Sequence, residues 1–252
     1  MLAIERRKEI LERLAANGKV IVAELAKDFD VTEETIRRDL EKLDREGLAS
    51  KTYGGAVAMH SAATDLPYIV RESANVQQKQ YIAEKLSELI APGDRIMLDS
   101  SSTALYVLKK LKERKNLTII TNSVKILLEL ADKPDWTVLS TGGVLKKGAL
   151  SLTGSSAEKM IRSYHVDVAI CSCKGLDMEL GVTDSNESDS LIKQAMFHAA
   201  EKRILALDNE KLDKKSFVKV CDPDEIDLIV TDSEPSEKWL SFCNEKKIEL
   251  LF

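Results

Sequence analysis

The chain has 252 residues, of which 44% are hydrophobic and 31% are charged, and its net charge at pH 7 is −5. This composition is typical of a folded protein of one or two domains. No apolar run approaches the roughly 20 residues that a membrane-spanning helix needs, and no basic segment followed by an apolar one opens the chain as an export signal would. The composition therefore excludes a membrane-spanning protein, and we expect a cytoplasmic protein without a membrane partner.

The N-terminal part of the chain is predicted to form three helices. The first covers Ile4–Asn17, and the second covers Ile21–Phe29. Residues 30–31 link the second helix to the third, and so short a turn suits a helix-turn-helix corner. Thr32 is predicted to cap the third helix by accepting a hydrogen bond from a first-turn N–H group. That helix stops at Gly47.

The third helix has the pattern of a DNA-reading element. Ile36, Leu40 and Leu43 recur at helical spacing and predict one buried face. Two adjacent arginines early in a capped helix suit contacts with phosphates and base edges in a major groove. The alternative is an ordinary solvated surface helix, and this helix alone does not decide between the two. The candidate DNA-contacting residues of the helix are Thr32, Thr35, Arg37 and Arg38.

The segment that follows is predicted to form a small two-stranded wing. It covers Ala49–Val57, and its two adjacent glycines permit the turn. Lys51 and Tyr53 are its candidate DNA contacts. Three helices and a basic wing predict a winged helix-turn-helix domain, against the alternative of a small helical docking domain.

The charge of this domain argues mildly against nucleic acid. Residues 1–57 hold eleven Lys and Arg against twelve Asp and Glu, a balance of −1, whereas most DNA-binding domains have a basic excess. DNA binding must then depend on local placement, with Arg6 and Arg7 expected on the same side as the arginines of the third helix. It also predicts that oligomerisation, as a dimer or tetramer, supplies part of the affinity.

The run VTEETIRRDLEKLDREGL followed by KTYGGAV resembles the N-terminal domain of the DeoR family of bacterial transcriptional regulators. Members usually have serine where Thr32 stands, and arginine and histidine where Lys51 and Tyr53 stand. The resemblance implies a double-stranded DNA operator as the partner.

The rest of the chain is predicted to be a Rossmann-like, mostly parallel α/β domain. We expect residues 1–57 to be the DNA-binding domain, residues 58–76 a linker, and residues 77–252 the effector domain. A helix over Tyr68–Ile90 is followed by β-rich runs that alternate with amphipathic helices. The predicted strands are Arg95–Leu98, Thr118–Thr121, Thr137–Ser140, Val166–Cys171, Arg203–Leu207, Ile226–Thr231 and Ile248–Leu251. The predicted helices between them are Thr103–Arg114, Val124–Ala131, Ser155–Ser163, Ser188–Glu201 and Glu237–Asn244.

Polar and glycine-rich turns follow several of these strands. Ligands of open α/β sheets bind beyond the carboxyl ends of the strands, and hydroxyls with backbone N–H groups at a helix N-terminus bind anions. A plain Ser/Thr helix cap and solvated loop lysines would leave the same pattern. Taken together, the turns predict a site for a small phosphorylated ligand. Its candidate residues are Asp99, Ser100, Ser101, Ser102, Thr103, Thr121, Asn122, Gly142, Gly143, Lys174, Lys193 and Lys211.

The chain from Arg71 onward also resembles the DeoR-type effector domain, which is similar in fold to sugar-phosphate isomerases such as ribose-5-phosphate isomerase. Members usually have glycine where Ser101 and Ser172 stand. The resemblance implies a repressor of a carbohydrate operon whose DNA binding is controlled by a phosphorylated sugar or a related metabolite; an activator is left open. It implies no enzyme activity and no cofactor.

The alternative function is a sugar-phosphate isomerase with a fused helical domain. Isomerisation needs a base such as a carboxylate, but the Gly-Gly-Ala-Asp-Glu run typical of ribose-5-phosphate isomerases does not occur. The carboxylates near the predicted site are Asp177, Glu179, Asp184 and Glu187.

The four cysteines do not have the paired spacing of a zinc site. We expect them to be small buried residues in a reducing compartment, with neither a disulfide nor a metal role. They are Cys171, Cys173, Cys221 and Cys243.

Overall fold

The structure, a computed structural model, describes residues 1–57 and 67–252. The chain divides into two compact units, Met1–Val76 and Gln77–Phe252. The first part of the predicted linker, residues 58–66, lies outside the described residues. Within the described residues, no helix is both long and apolar enough to cross a bilayer.

The first unit contains four helices and three short strands among its described residues. The strands form an antiparallel sheet in the order β1-β3-β2, so the predicted two-stranded wing gains a third strand. That strand occupies Lys19–Ile21, and the second helix therefore begins one residue later than predicted. The elements are α1 (Ala3–Asn17), β1 (Lys19–Ile21), α2 (Val22–Asp28), α3 (Glu33–Arg45), β2 (Ser50–Thr52), β3 (Gly55–Val57) and α4 (Tyr68–Ser73).

One apolar core holds the first unit together. Ile36 and Leu40 of α3 are fully buried, and they share this core with Ile10 of α1 and Leu25 of α2. Val70 of α4 packs against the same cluster. The core fixes which face of α3 remains outside.

The predicted helix over Tyr68–Ile90 is wrong in one respect, because the structure divides it into two. Ala74 is extended (ψ 146°), and Asn75 has a positive φ of 48°. Asparagine tolerates this left-handed conformation better than most residues do. The second helix, α5, covers Val76–Leu89.

The second unit is built on a seven-stranded sheet, counted over its described residues, with the strand order β15-β14-β12-β9-β4-β5-β6. All of its strand pairs are parallel. The strands are β4 (Arg95–Leu98), β5 (Thr118–Thr121), β6 (Thr137–Ser140), β9 (Val166–Cys171), β12 (Ala200–Ala206), β14 (Leu228–Val230) and β15 (Glu249–Leu251). The helices between them are α6 (Ser102–Leu111), α7 (Val124–Leu130), α8 (Ser155–Arg162), α9 (Glu187–His198) and α10 (Glu237–Lys246).

The strand order reverses beside β4. From β4 the chain first adds β5 and β6 on one side, and it then returns to place β9 on the other. Such a reversal opens a crevice beyond the carboxyl ends of the two strands that flank it. The crevice of this sheet therefore lies between the ends of β4 and β9.

Five further strands were not predicted. A hairpin follows β6. Two strands after β9 and one after β12 form a small antiparallel sheet in the order β10-β11-β13. The structure also ends α9 at His198 and starts β12 at Ala200, so the predicted boundary between helix and strand is wrong by a few residues. The unpredicted strands of this unit are β7 (Val144–Lys146), β8 (Ser151–Thr153), β10 (Gly175–Asp177), β11 (Gly181–Asp184) and β13 (Val218–Cys221).

Candidate functional site

Helix α3 has the cap that its sequence predicts. Thr32 is extended at φ −70° and ψ 150°, and its Oγ1 accepts a hydrogen bond from the Thr35 backbone N–H at 3.3 Å. The hydroxyls of the two threonines are 2.9 Å apart. The first turn of α3 is therefore closed by side chains that remain at its outer surface.

The two adjacent arginines of α3 are exposed and held by acidic neighbours one turn earlier. Arg37 Nη2 donates to Glu33 Oε2 at 2.8 Å, and Arg38 Nε donates to Glu34 Oε1 at 3.2 Å. The arginine side chains are 47% and 77% exposed. Exposed pairs of this kind contribute about 0.3–0.5 kcal/mol, so the guanidinium groups are directed outward and can be released to a stronger partner.

The expectation that Arg6 and Arg7 join these arginines on the DNA side is wrong for Arg6. Arg6 is buried, and its Nε donates to Asp39 Oδ2 at 2.5 Å. Arg7 Nη1 donates to the other carboxylate oxygen of Asp39 at 3.1 Å. Asp39 is itself buried on α3, so it ties the first helix to the third. Sequence reasoning missed Asp39, although its position three residues after Ile36 placed it beside the apolar face.

The wing presents the two residues predicted for it. Lys51 is exposed, and Tyr53 is fully exposed at the turn between β2 and β3. The backbone N–H of Lys51 donates to Asp44 Oδ1 of α3 at 2.9 Å, which joins the wing to that helix. Gly55 is required by packing, because a Cβ there would collide with the Val20 carbonyl oxygen.

Asp99 spans the crevice of the second unit. It follows β4 and is 1% exposed. Its Oδ1 accepts a hydrogen bond from the Ser101 backbone N–H, and its Oδ2 accepts one from the Ser172 backbone N–H just beyond β9, each at 3.0 Å. One carboxylate thus joins the ends of the two strands that flank the crevice.

Lys193 is a buried counter-ion of this carboxylate. Its Nζ is 3.5 Å from Asp99 Oδ2, and it makes a short hydrogen bond to Asp184 Oδ2. Burial opposes the charge of the ammonium group, but Asp184 and Asp99 outweigh that effect and raise the pKa of Lys193. Burial likewise opposes the Asp184 carboxylate, yet Lys193 holds the pKa of Asp184 below its ordinary value. The structure therefore directs Lys193 into an internal triad.

The DSSST segment forms the N-terminus of α6. Ser101 Oγ accepts a hydrogen bond from the Ala104 backbone N–H at 3.0 Å, and Ser101 has a φ of −73°. A negative φ is open to any residue, so the serine that stands for the family's glycine causes no backbone strain. Ser100, Ser102 and Thr103 are buried. The segment thus brings the first turn of α6 to the crevice beside Asp99.

The polar residues after β5 and β6 are used mainly to join neighbouring elements. Thr121 Oγ1 donates to the Leu98 carbonyl at 2.7 Å, and Asn122 Nδ2 donates to the Leu152 carbonyl of β8 at 3.1 Å. Gly142 has open space around it and a φ of 61°. Gly143, with a φ of 104°, packs so closely against β8 that a Cβ would collide with the Thr153 carbonyl oxygen. Packing against β8 therefore explains why position 143 is a glycine.

Lys211 reaches the crevice from the segment after β12. Its Nζ is 3.1 Å from Asp208 Oδ2 and 3.4 Å from Ser172 Oγ. Lys174 is half-buried after β9, and its backbone N–H donates to the Thr183 carbonyl of β11 at 3.0 Å. The described contacts thus bring Asp99, Lys193 and Lys211 to the ends of β4 and β9, whereas Asn122 and Gly143 lie against β8.

The four cysteines are buried free thiols. Burial raises the pKa of Cys173 to about 12, so this thiol stays protonated and unreactive at neutral pH. Among the described residues, no group of three or more His, Cys, Asp or Glu side chains is arranged to hold a metal ion.

Together these features define a class of protein. A winged helix-turn-helix unit presents an arginine-bearing helix, and a parallel α/β unit has a polar crevice where its strand order reverses. This is the architecture of a transcriptional regulator with a sensor domain.

The chain belongs to the DeoR family. Residues 6–62 match the DeoR-like helix-turn-helix domain, and residues 74–233 match the DeoR C-terminal sensor domain. The chain is 38% identical to the uncharacterized HTH-type transcriptional regulator YulB of Bacillus subtilis, over 99% of this chain and 96% of that one. It is 33% identical to the HTH-type transcriptional regulator GolR of Listeria innocua, over 93% and 92% of the two chains. It is 32% identical to the putative aga operon transcriptional repressor of Escherichia coli O157:H7, over 90% and 86%.

Among solved structures, ribose 5-phosphate isomerase A of Methanocaldococcus jannaschii is partly similar to this chain. The TM-score is 0.41 at 17% sequence identity, and the match covers 56% of each chain.

Proposed function

We propose that this regulator represses a carbohydrate operon and that a phosphorylated sugar, bound at the crevice between β4 and β9, controls its affinity for the operator. The observation that carries the proposal is that the N-terminus of α6 and the side chain of Lys211 both lie at that crevice. Backbone N–H groups at a helix N-terminus attract a phosphate, and a lysine beside them supplies a charge-assisted hydrogen bond. The name of the aga operon repressor supports repression of an operon. The L-fucose operon activator of Haemophilus influenzae, 31% identical over 96% of this chain and 97% of that one, supports a carbohydrate operon as the target.

In this proposal Lys193 organises the site without touching the ligand. Its ammonium group already faces two carboxylates, Asp99 and Asp184. Lys211 has one carboxylate partner and a serine hydroxyl at 3.4 Å, so it can turn to a phosphate at smaller cost. Lys174, from the loop after β9, is the second candidate cation.

The ligand proposal is tested by thermal shift of the full chain. Ribose 5-phosphate and glucosamine 6-phosphate are compared with the same sugars without phosphate, because a phosphate site must separate the two groups. Lys211→Gln should remove the response to the phosphorylated sugar and leave DNA binding without ligand unchanged. An equal response of this variant and the wild type would show that the site is misplaced.

For the DNA half, we propose that Thr32, Thr35, Arg37 and Arg38 enter the major groove, while Lys51 and Tyr53 of the wing contact the flanking backbone. The support is the exposure of Thr32, Arg37 and Arg38, with Thr35 half-buried, on a capped helix whose opposite face is buried, and the exposure of Lys51 and Tyr53 on the wing. A good bidentate contact with a base contributes about 1–3 kcal/mol of discrimination.

The double change Arg37→Ala with Arg38→Ala tests this placement. We expect loss of operator binding by fluorescence anisotropy, with an unchanged thermal shift on adding the ligand. Arg162→Ala removes an exposed arginine of α8 and is the matched control. Undiminished operator binding by the double variant would refute the assignment of α3 as the reading helix.

We further propose that the protein is not an enzyme. The rival isomerase needs a free carboxylate base, but Asp184 is buried in an ion pair with Lys193. Asp177 Oδ1 instead accepts hydrogen bonds from the backbone N–H groups of Glu179 and Leu180, at 3.0 and 2.9 Å. The other two candidate carboxylates, Glu179 and Glu187, are exposed side chains. Turnover of ribose 5-phosphate by the purified chain would overturn this conclusion.

The protein is proposed to act in the cytoplasm as a homodimer or a tetramer. The support is the charge of residues 1–57, which have no excess of Lys and Arg over Asp and Glu. A domain of this kind gains affinity when two copies bind one operator. Half-sites one helical turn apart would match such a pair. Sedimentation of the free protein and of its operator complex measures the number of chains, and a monomer in both would contradict the proposal.

A further inference from the structure

A groove of about 490 Å³ runs between α1 and α3 in the first unit. Three of its cations, Arg38, Lys42 and Arg45, occur at spacings of four and three residues, which places them on one face of a helix. Arg7 of α1 adds a fourth. The groove is lined by Arg7, Arg38, Asp39, Glu41, Lys42, Arg45 and Glu46.

The acidic residues of the groove hold these cations unequally. Asp39 is fully engaged, because Arg6 and Arg7 both bond to it. Two guanidinium groups on one carboxylate leave an excess positive charge at that end. The other two pairs are long and exposed: Arg45 Nη2 is 3.6 Å from Glu41 Oε1, and Lys42 Nζ is 3.9 Å from Glu46 Oε1. Such pairs contribute about 0–1 kcal/mol, so Lys42 and Arg45 are readily available to another anion.

The groove continues the face that reads DNA. Thr35 lies three residues before Arg38 and therefore on the same side of α3. A helix rises about 1.5 Å per residue, so Arg45 lies roughly 15 Å along the axis from Thr35. The major groove is about 12 Å wide. A helix whose first turn lies among the bases therefore carries Arg45 to the phosphate backbone at the edge of the groove.

We propose that this groove binds backbone phosphates of the DNA, through Lys42 and Arg45 with Arg7 at its inner end. The inference rests on the proposed orientation of α3 and extends the DNA-contacting surface by residues outside the helix start and the wing. Phosphate contacts carry no sequence information, so these residues strengthen binding to every duplex and do not select the operator.

The salt dependence of binding tests the proposal on the full chain, with a 40-base-pair mixed-sequence duplex as the probe. Each lost phosphate contact lowers the slope of log K against log salt by about 0.9. Between 50 and 200 mM salt this is a change of about 3.5-fold per contact for each bound domain. Lys42→Gln and Arg45→Gln should each show this reduced salt dependence. Glu41→Gln should do the opposite and tighten binding, because it removes the carboxylate that competes for Arg45.

Lys8→Gln is the matched control. Lys8 is an exposed lysine of α1, outside the groove lining, and lies 3.8 Å from Glu12. The inference is overturned if Lys42→Gln and Arg45→Gln keep the wild-type slope of log K against log salt. It is also overturned if Lys8→Gln lowers that slope by as much as they do. If the wild type binds the duplex and Arg37→Ala with Arg38→Ala still abolishes operator binding, the reading helix stands and the groove alone fails. If the wild type binds its operator but not the mixed-sequence duplex, the groove proposal fails, and absence of binding to both would instead refute the proposed function.

Discussion

Replacing Lys193 by methionine should strongly destabilise the second unit. The change removes the ammonium group from a triad in which all three side chains are buried and leaves two carboxylates, Asp99 and Asp184, without their counter-ion. Methionine fills similar space, so the effect of the lost charge is separated from the effect of a cavity.

The structure sets the expected magnitude of this change. Removing one partner of a buried ion pair costs about 3–5 kcal/mol. Asp99 keeps its two backbone hydrogen bonds, from the N–H groups of Ser101 and Ser172. Asp184 keeps one backbone hydrogen bond, from the Ser185 N–H at 2.7 Å, and a long one from the Ser185 hydroxyl at 3.4 Å. Asp184 is therefore destabilised more than Asp99. Adding Asp184→Asn to Lys193→Met should then recover about 1–3 kcal/mol, because residues in contact couple by amounts of this order.

Urea unfolding followed by tryptophan fluorescence measures the effect. Both tryptophans of the chain, Trp136 and Trp239, lie in the second unit, so the signal reports that unit alone. We expect the urea midpoint of Lys193→Met to fall by more than about 1 M, at a fixed protein concentration. Lys202→Met, which breaks an exposed pair with Glu249, should cost less than about 1 kcal/mol. Equal midpoints for the two variants would refute the assignment of Lys193 as a structural counter-ion.

Three further outcomes are expected. Thr32→Ala should cost α3 about 0.5–2 kcal/mol by loss of its cap, seen as faster hydrogen exchange of the amides in its first turn; unchanged exchange would contradict the cap. Asp39→Asn should cost about 3–5 kcal/mol, because it leaves Arg6 buried without a counter-charge, and proteolysis of the first unit measures this. The stabilisation that the lowered pKa of Asp184 contributes should be complete above about pH 4 and disappear as the pH falls through that lowered pKa. In Lys193→Met, a urea midpoint with the wild-type acid dependence would refute the link.

The fold was predictable wherever the signal was local. The strands Thr118–Thr121 and Thr137–Ser140 have the predicted bounds, because short β-rich runs stand between clear helical patterns. β1 escaped prediction because its three residues pair with Gly55–Val57, far along the chain. Strand β11 escaped for the same reason, since it pairs with β13 across the intervening helix and strand.

The contacts of the candidate sites were also predictable only where both partners are close in sequence. The cap at Thr32 and the turn at Asp99 depend on neighbours within three residues, so a motif reveals them. The pairing of Arg6 with Asp39 joins residues 33 apart, and the hydrogen bond from Ser172 to Asp99 joins residues 73 apart. Composition predicted the cations but not their partners, and the partners decide which cations are free. For this reason Arg6 and Lys193, which the sequence does not distinguish from the other cations, are held in buried ion pairs.

The charge pairs along α3 explain how a DNA-binding unit can lack a basic excess. At physiological ionic strength charges are screened beyond about 8 Å, so a phosphate responds to the cations beside it and little to the net charge of −5. The acidic residues of this helix mostly stand four positions before an arginine, as Glu33, Glu34 and Glu41 do. In that arrangement they hold the guanidinium groups outward at a strength of about 0.3–0.5 kcal/mol. A DNA phosphate can replace such a partner at little cost, so local pairing, and not net charge, decides whether the helix binds DNA.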